Sequence, residues 1–282
     1  MKYDFPKIDL HLHLDGSMLP DSAWEMAEER GVKMPADNPE DFKKFIVVTA
    51  DCRDVNEYLE KFELPLQIMQ DREAIIRTAR ELVIMLAEQG LVYAEIRFAP
   101  QLHTRKGMTQ AEAIEAVIEG VNEGMKQAKT IDIGIICCTM SIGLETVNKE
   151  ENLETVRATK QYLGKGVVAL DLAGAEGIVP LKNFGYIFDL ARELELPITV
   201  HAGDSDGPQT AWDALEFGTK RIGHGHRVYD DKELIKKCIE DNVTLEICPT
   251  SNIQCQSQPS YAEHPAKKLL DMGVRVTINT DN

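Results

Sequence analysis

A chain of 282 residues is long for one ordinary hydrophobic core yet normal for a single α/β barrel, so length alone does not require two domains. With 43% hydrophobic and 28% charged residues the composition is globular, and the longest apolar runs, such as 131–140, are too short for a membrane span. The net charge of −16, with Lys and Arg scattered along the chain, argues against nucleic-acid or membrane partners, which need a basic patch to displace counterions, and favours a small neutral ligand.

The first strand-like run begins near Ile8, which leaves no space for the charged and apolar regions of a signal peptide. The six cysteines have neither disulfide nor metal-finger spacing, and Cys137 and Cys138 are adjacent inside an apolar run. Both observations predict a cytoplasmic protein.

In chain order, β-branched runs at 8–14, 92–100, 132–140, 167–174, 197–204, 221–225, 244–252 and 275–282 read as eight strands. Amphipathic stretches at 109–129, 181–195, 231–242 and 262–272 read as helices between them. Eight parallel strands with crossover helices predict one (β/α)8 TIM barrel spanning 1–282, with a doubly wound sheet as the alternative. The stretch 15–91 is too long for a simple crossover and carries several helical patterns, so it is expected to contain a lid-forming insertion. The sequence stops on the eighth strand, and the final helix that should cover it is missing; a longer parent protein is expected.

Chemistry concentrates at the strand ends. Asp9, His11, His13 and Asp15 fall on one face of the first strand, and Leu10, Leu12 and Leu14 on the other. Two imidazoles at i and i+2 can chelate one ion from the same side, and zinc is the default ion for imidazole with carboxylate. His201 and His224 close the fifth and sixth runs beside small residues that let a ligand approach, and Asp281 stands at the end of the eighth. Side chains from strands one, five and eight converge only in a closed barrel, so His11, His13, His201 and Asp281 are the expected ligands of one Zn2+ per chain. Such an ion activates water for addition to an electron-poor ring carbon; the flanking acid and orienting base suit Asp204 and His224.

The pieces His11-Leu12-His13-Leu14-Asp15-Gly16, Asp171-Leu172-Ala173-Gly174, His201-Ala202-Gly203, Arg221-Ile222-Gly223-His224-Gly225, Cys248-Pro249-Thr250-Ser251-Asn252, His264-Pro265 and Asn279-Thr280-Asp281 span nearly the whole chain. Together they resemble the adenosine deaminase family of the amidohydrolase superfamily. The resemblance implies the same zinc ligands, with His224 orienting the attacking water. It implies further that the Gly174 N–H meets the purine, that Asp15 holds a ribose hydroxyl, and that Tyr58, Leu59 and Phe62, with Val55, form an apolar wall over the sugar. The implied reaction is hydrolytic deamination of adenosine or 2′-deoxyadenosine to inosine and ammonia in purine salvage.

Two departures from the family pattern stand out. Asp204 replaces the Glu that protonates the ring, withdrawing the carboxyl by roughly 1.5 Å. Asn282 replaces a second Asp, and its amide is a ready donor to purine N7. The alternatives are therefore an adenine or other 6-aminopurine deaminase, a different zinc hydrolase on the same scaffold, or a nucleoside-binding relative. Adenine-specific members carry Glu where this chain has Asp15, which tilts the choice to a nucleoside.

Other reactive residues have plainer readings. Cys248 and Cys255 read as structural thiols; His103, His226 and His264 as structural or surface histidines; Glu176 and Asp206 as solvated rim acids that could substitute for Asp204.

Overall fold

The computed structural model describes residues 5–48, 52–53 and 55–282, and the side chains of Val55 and Asn56 lie outside that description. Among the described residues eight strands follow one another: β1 (Lys7–His13), β2 (Leu91–Phe98), β3 (Asp132–Ser141), β4 (Val167–Gly174), β5 (Val200–Ala202), β6 (Arg221–His224), β7 (Thr244–Ile247) and β8 (Arg275–Ile278). All pair in parallel, in the orders β1-β2-β3-β4 and β5-β6-β7-β8.

Two seams join the halves into a barrel. At one, Leu170 N–H donates to Pro197 O and Thr199 N–H to Leu170 O, both at 2.9 Å. At the other, Asp281 N–H donates to His11 O at 2.9 Å and His13 N–H to Asp281 O at 2.7 Å. The closing seam therefore carries three of the expected metal ligands on adjacent backbones.

Several elements are shorter than their sequence patterns. The run 244–252 divides into β7 and a helix at Pro249–Gln254, because Pro249 has the fixed φ of a first helical residue and no N–H to give a sheet. The run 275–282 yields a strand only to Ile278, after which the chain turns inward at Asp281, whose φ is 72°. The helix expected at 262–272 begins at Ala266, behind Pro265. In contrast, 109–129 is nearly matched by Gln110–Ala128, since Thr109 and Glu112 form a reciprocal capping box at its start.

Within 15–91 the last helix, Arg72–Glu88, packs on Gln110–Ala128 as an ordinary barrel helix. Shorter helices at Pro20–Glu29, Pro39–Ile46, Val55–Glu60 and Glu63–Ile68 precede it. Phe42, Met26 and Ile68 are fully buried and join Leu12 and Leu14 of β1 in one hydrophobic cluster, so this segment shares the barrel's core. Among the described residues no helix is long and apolar enough to cross a membrane.

Candidate active site

At the C-terminal end of the strands, imidazole and carboxylate atoms crowd one point. Asp281 Oδ1 stands 3.4 Å from His11 Nε2 and 3.5 Å from His13 Nε2, and His13 Nε2 is 3.2 Å from His201 Nε2. Donors bound to one ion at about 2.0–2.2 Å and angles near 90–110° stand about 2.9–3.5 Å apart, so these atoms have the spacing of a single coordination sphere. The group whose donor atoms all lie within 4.8 Å of one another is His11, His201, His224 and Asp281, with His224 in the place expected of His13, the one such group among the described residues. His11 Nε2 is buried and makes no hydrogen bond. An orphaned imidazole nitrogen facing a carboxylate and other imidazoles fits a divalent cation better than a packing role.

Carboxylates behind the rings aim them. His11 Nδ1 lies 3.2 Å from Glu246 Oε2, and His201 Nδ1 lies 2.8 Å from Asp171 Oδ2. Each carboxylate favours the tautomer that keeps the proton on the facing Nδ1, which turns the Nε2 lone pair toward the cluster. Arg97, fully buried, ties the two together: Nη1 donates to Asp171 Oδ2 at 2.9 Å and Nη2 to Glu246 Oε2 at 2.7 Å. Strands β2, β4 and β7 are not neighbours, so these bonds cross the barrel interior.

Burial alone would raise the carboxyls of Asp171, Glu246 and Asp281. Nearby cations and donors outweigh it (His201 and Arg97 for Asp171, Arg97 and His11 for Glu246, His11 and His224 for Asp281) and hold all three below the carboxylate range. Burial pushes His13 and His201 below the imidazole range, leaving them neutral with lone pairs to offer. Gly223 makes room for the arrangement, since a Cβ there would lie 2.8 Å from His11 Cε1. His224 and Asp281 both hold left-handed φ values, 62° and 72°. For non-glycine residues that conformation costs about 1–2 kcal/mol each, a strain typical of functional positions.

A second network fixes the tautomer of His224. Asn252 Nδ2 donates to Asp204 Oδ1 at 2.8 Å and faces His224 Nδ1 at 3.2 Å, while Asn252 Oδ1 faces His264 Nε2 at 3.1 Å. Asp204 Oδ1 accepts from the Asn252 amide and so orients it, which leaves Oδ2 able to carry a proton, and the amide in turn makes His224 Nδ1 an acceptor. With Nδ1 an acceptor the ring proton belongs on Nε2, which makes His224 a donor toward the cluster in this tautomer. Ser257 Oγ donates to the same Asp204 oxygen at 3.0 Å, and His226 Nδ1 is 3.4 Å away.

The sequence pattern suggests a solvated rim for Glu176, whereas the structure engages it fully. Its carboxylate accepts from the backbone N–H groups of Gly203, Asp204, Ser205 and Asp206 and from the Thr210 hydroxyl. Asp206 itself is exposed. His103 and His226 are completely buried and His264 nearly so; burial pushes the first down to about 4 and the second to about 3.

A cavity of about 280 Å³ opens over the cluster. His13, Asp15, Tyr58, Leu59, Phe62, Gly174, His201, Asp204, His224 and Asp281 all line it. Asp15 is buried, which pushes its carboxyl up to about 6. Asn282 is not brought in: it is exposed, its amide donates to the Tyr58 hydroxyl, and it lines a neighbouring cavity between β1 and the helices of the 15–91 segment. Sequence reasoning assigned no role to Arg97, Glu246, Asn252 or Ser257. The available signal was a lone charge inside an apolar strand, as in Ile96-Arg97-Phe98 and Leu245-Glu246-Ile247.

Comparison with known proteins gives a consistent picture. The family model described as adenosine deaminase matches residues 6–282. An adenosine deaminase of Haemophilus ducreyi is 43% identical over 278 residues, 98% of this chain and 80% of that protein. One from Clostridium kluyveri is 40% identical over 98% of this chain and 78% of its own length. Among solved structures, an Arabidopsis N6-mAMP deaminase superposes with a TM-score of 0.83 at 27% identity, covering 98% of this chain and 81% of the other. An adenine deaminase from Arthrobacter aurescens shares the fold with a TM-score of 0.84 at 24% identity, covering 98% and 82%.

Proposed function

The chain belongs to the adenosine deaminase family, and from that premise we propose that it hydrolyses adenosine or 2′-deoxyadenosine to inosine and ammonia. The observation that carries the proposal is the convergence of His11, His13, His201 and Asp281 under a cavity that Asp204 and His224 also line. These four residues would hold one zinc ion, which when bound supplies Lewis-acid activation of water at neutral pH.

The remaining chemistry belongs to side chains. His224, with its proton on Nε2, orients the attacking water and meets the charge that develops as it adds to purine C6. Asp204 delivers a proton to N1, removing electron density from the ring as C6 becomes tetrahedral. Ammonia then leaves from C6: of the two protons the water gives up as C6 becomes a carbonyl, one completes the departing ammonia and the other returns to Asp204. Gly174 presents its N–H to the purine edge, Asp15 accepts from a ribose hydroxyl, and Tyr58, Leu59 and Phe62 wall the sugar side as part of a lid. Asn282 serves N7 only if its amide leaves the Tyr58 hydroxyl. The chain acts as one domain with the lid drawn from 15–91, and cysteines without disulfide spacing in the sequence suit a cytoplasmic location.

The cavity lining contains no Lys or Arg among the described residues but does contain Asp15, Glu176 and Asp204. A 5′-phosphate would meet only acidic neighbours there, which favours a nucleoside over a nucleotide substrate. Adenine remains the second reading, favoured by the small volume. Spectrophotometric assay of adenosine, 2′-deoxyadenosine, adenine and AMP, combined with metal analysis, tests the proposal. One zinc per chain and preference for the two nucleosides support it; turnover of none of the four, or a second ion in the same mouth, overturns it.

A further inference from the structure

We propose that Glu176 is a positioning residue that sets the reach of Asp204; the inference rests on the reading of Asp204 as the proton donor. Glu176 follows β4 by two residues, and its carboxylate crosses to the loop after β5. Oε1 accepts from Gly203 N–H at 2.6 Å, while Oε2 accepts from Asp204 at 2.9 Å, Ser205 at 2.6 Å and Asp206 at 3.1 Å. The Thr210 hydroxyl, at the start of the helix Pro208–Glu216, donates to Oε1 as well.

Four successive N–H groups pointing at one carboxylate form a concave backbone turn, which here needs the left-handed φ of 66° at Gly203 and ends at Gly207 with 92°. Without a central anion the four N–H dipoles would repel one another and the turn would open. Glu176 therefore fixes the backbone of Asp204 from one side, while Asn252 and Ser257 hold its Oδ1 from the other. An aspartate has little side-chain reach to compensate for a displaced backbone, because a single methylene separates its Cα from the carboxyl. A Glu could recover a shift through an extra torsion; Asp204 cannot. A displacement near 1 Å at a reacting group lowers the rate by about 10²-fold. With both oxygens occupied as acceptors, Glu176 is arranged to hold the loop and not to supply the proton itself.

Glu176→Gln tests this in the full zinc-loaded chain, because an amide must turn an N–H donor toward at least one of those backbone donors. We expect kcat to fall by about 10-fold or more, with zinc content unchanged and inosine binding altered by less than about 3-fold. Hydrogen exchange of the amides at 203–206 should accelerate. The double variant Glu176→Gln with Asp204→Asn should be no more than about 2-fold slower than Asp204→Asn alone, because both changes act through one group. Near-normal kcat in Glu176→Gln while Asp204→Asn is impaired, or full multiplication of the two effects, overturns this inference alone. Near-normal turnover by Asp204→Asn removes the proton-donor reading and this inference with it, and the exchange measurement still tells whether Glu176 holds the loop.

Discussion

Glu246→Gln is the substitution that best probes the support beneath the metal site. In the native arrangement Oε2 accepts from His11 Nδ1 at 3.2 Å and Arg97 Nη2 at 2.7 Å, while Oε1 accepts from Arg221 Nε at 2.6 Å. Glutamine offers one acceptor where the carboxylate offers two. If its oxygen serves His11 and Arg97, its NH2 confronts the Arg221 N–H; if it is flipped, His11 Nδ1 becomes an acceptor and its proton moves to Nε2, where a metal needs a lone pair. Loss of such a supporting carboxylate weakens metal binding by about 10–100-fold, or about 1.4–2.8 kcal/mol. Breaking a buried charge pair on one side costs about 3–5 kcal/mol, and Arg97 keeps Asp171, so the metal-free protein should lose stability toward the lower end of that range. Zinc competition against a chromogenic chelator measures the first quantity and urea unfolding of the metal-free chain the second. Unchanged zinc affinity together with stability within about 0.5 kcal/mol of the parent would refute the assignment of Glu246 as the group that sets the His11 tautomer.

Asp204→Asn should retain zinc and purine affinity yet lower kcat by about 10² or more, since an amide can hold N1 but has no proton to transfer; steady-state kinetics with metal analysis decide it. Gly223→Ala places a methyl 2.8 Å from His11 Cε1, so His11 must move and zinc content should drop, an outcome read by elemental analysis of the purified variant. His103 is buried with Nδ1 on Met69 O, and burial lowers its pKa from 6.5 to about 4. The unfolded chain then binds the extra proton first, so folding stability should decline as pH falls from about 6.5 to about 4, by about 3 kcal/mol from this one group. His103→Asn, which keeps a donor for the carbonyl, should flatten that slope in urea titrations at pH 7, 5 and 4; an unchanged slope would assign the acid sensitivity elsewhere.

What was legible in the sequence is local in its physics. Alternation with period two puts His11 and His13 on one strand face whatever surrounds them, and a Pro or a capping box marks a helix start through its own backbone chemistry, as at Pro249 and Thr109. The eight-strand count and the polar strand ends followed from such patterns, and the ordered motifs supplied the family resemblance. Strand ends were less legible, because whether 249–252 continues β7 or begins a helix depends on the proline's φ and on what lies above it. The supporting groups could not be read at all. Arg97, Asp171 and Glu246 meet only because a closed barrel turns three non-adjacent strands toward one interior, with sequence separations of 74 and 149 residues. The tautomer of His224 depends on an amide from the helix after β7, which Asp204 from the β5 loop orients, and Glu176 becomes a backbone clamp because β4 lies beside β5. Side-chain type limits what a residue can donate or accept, but which partner is within about 3 Å is set by chain closure, and only the tertiary structure supplies that.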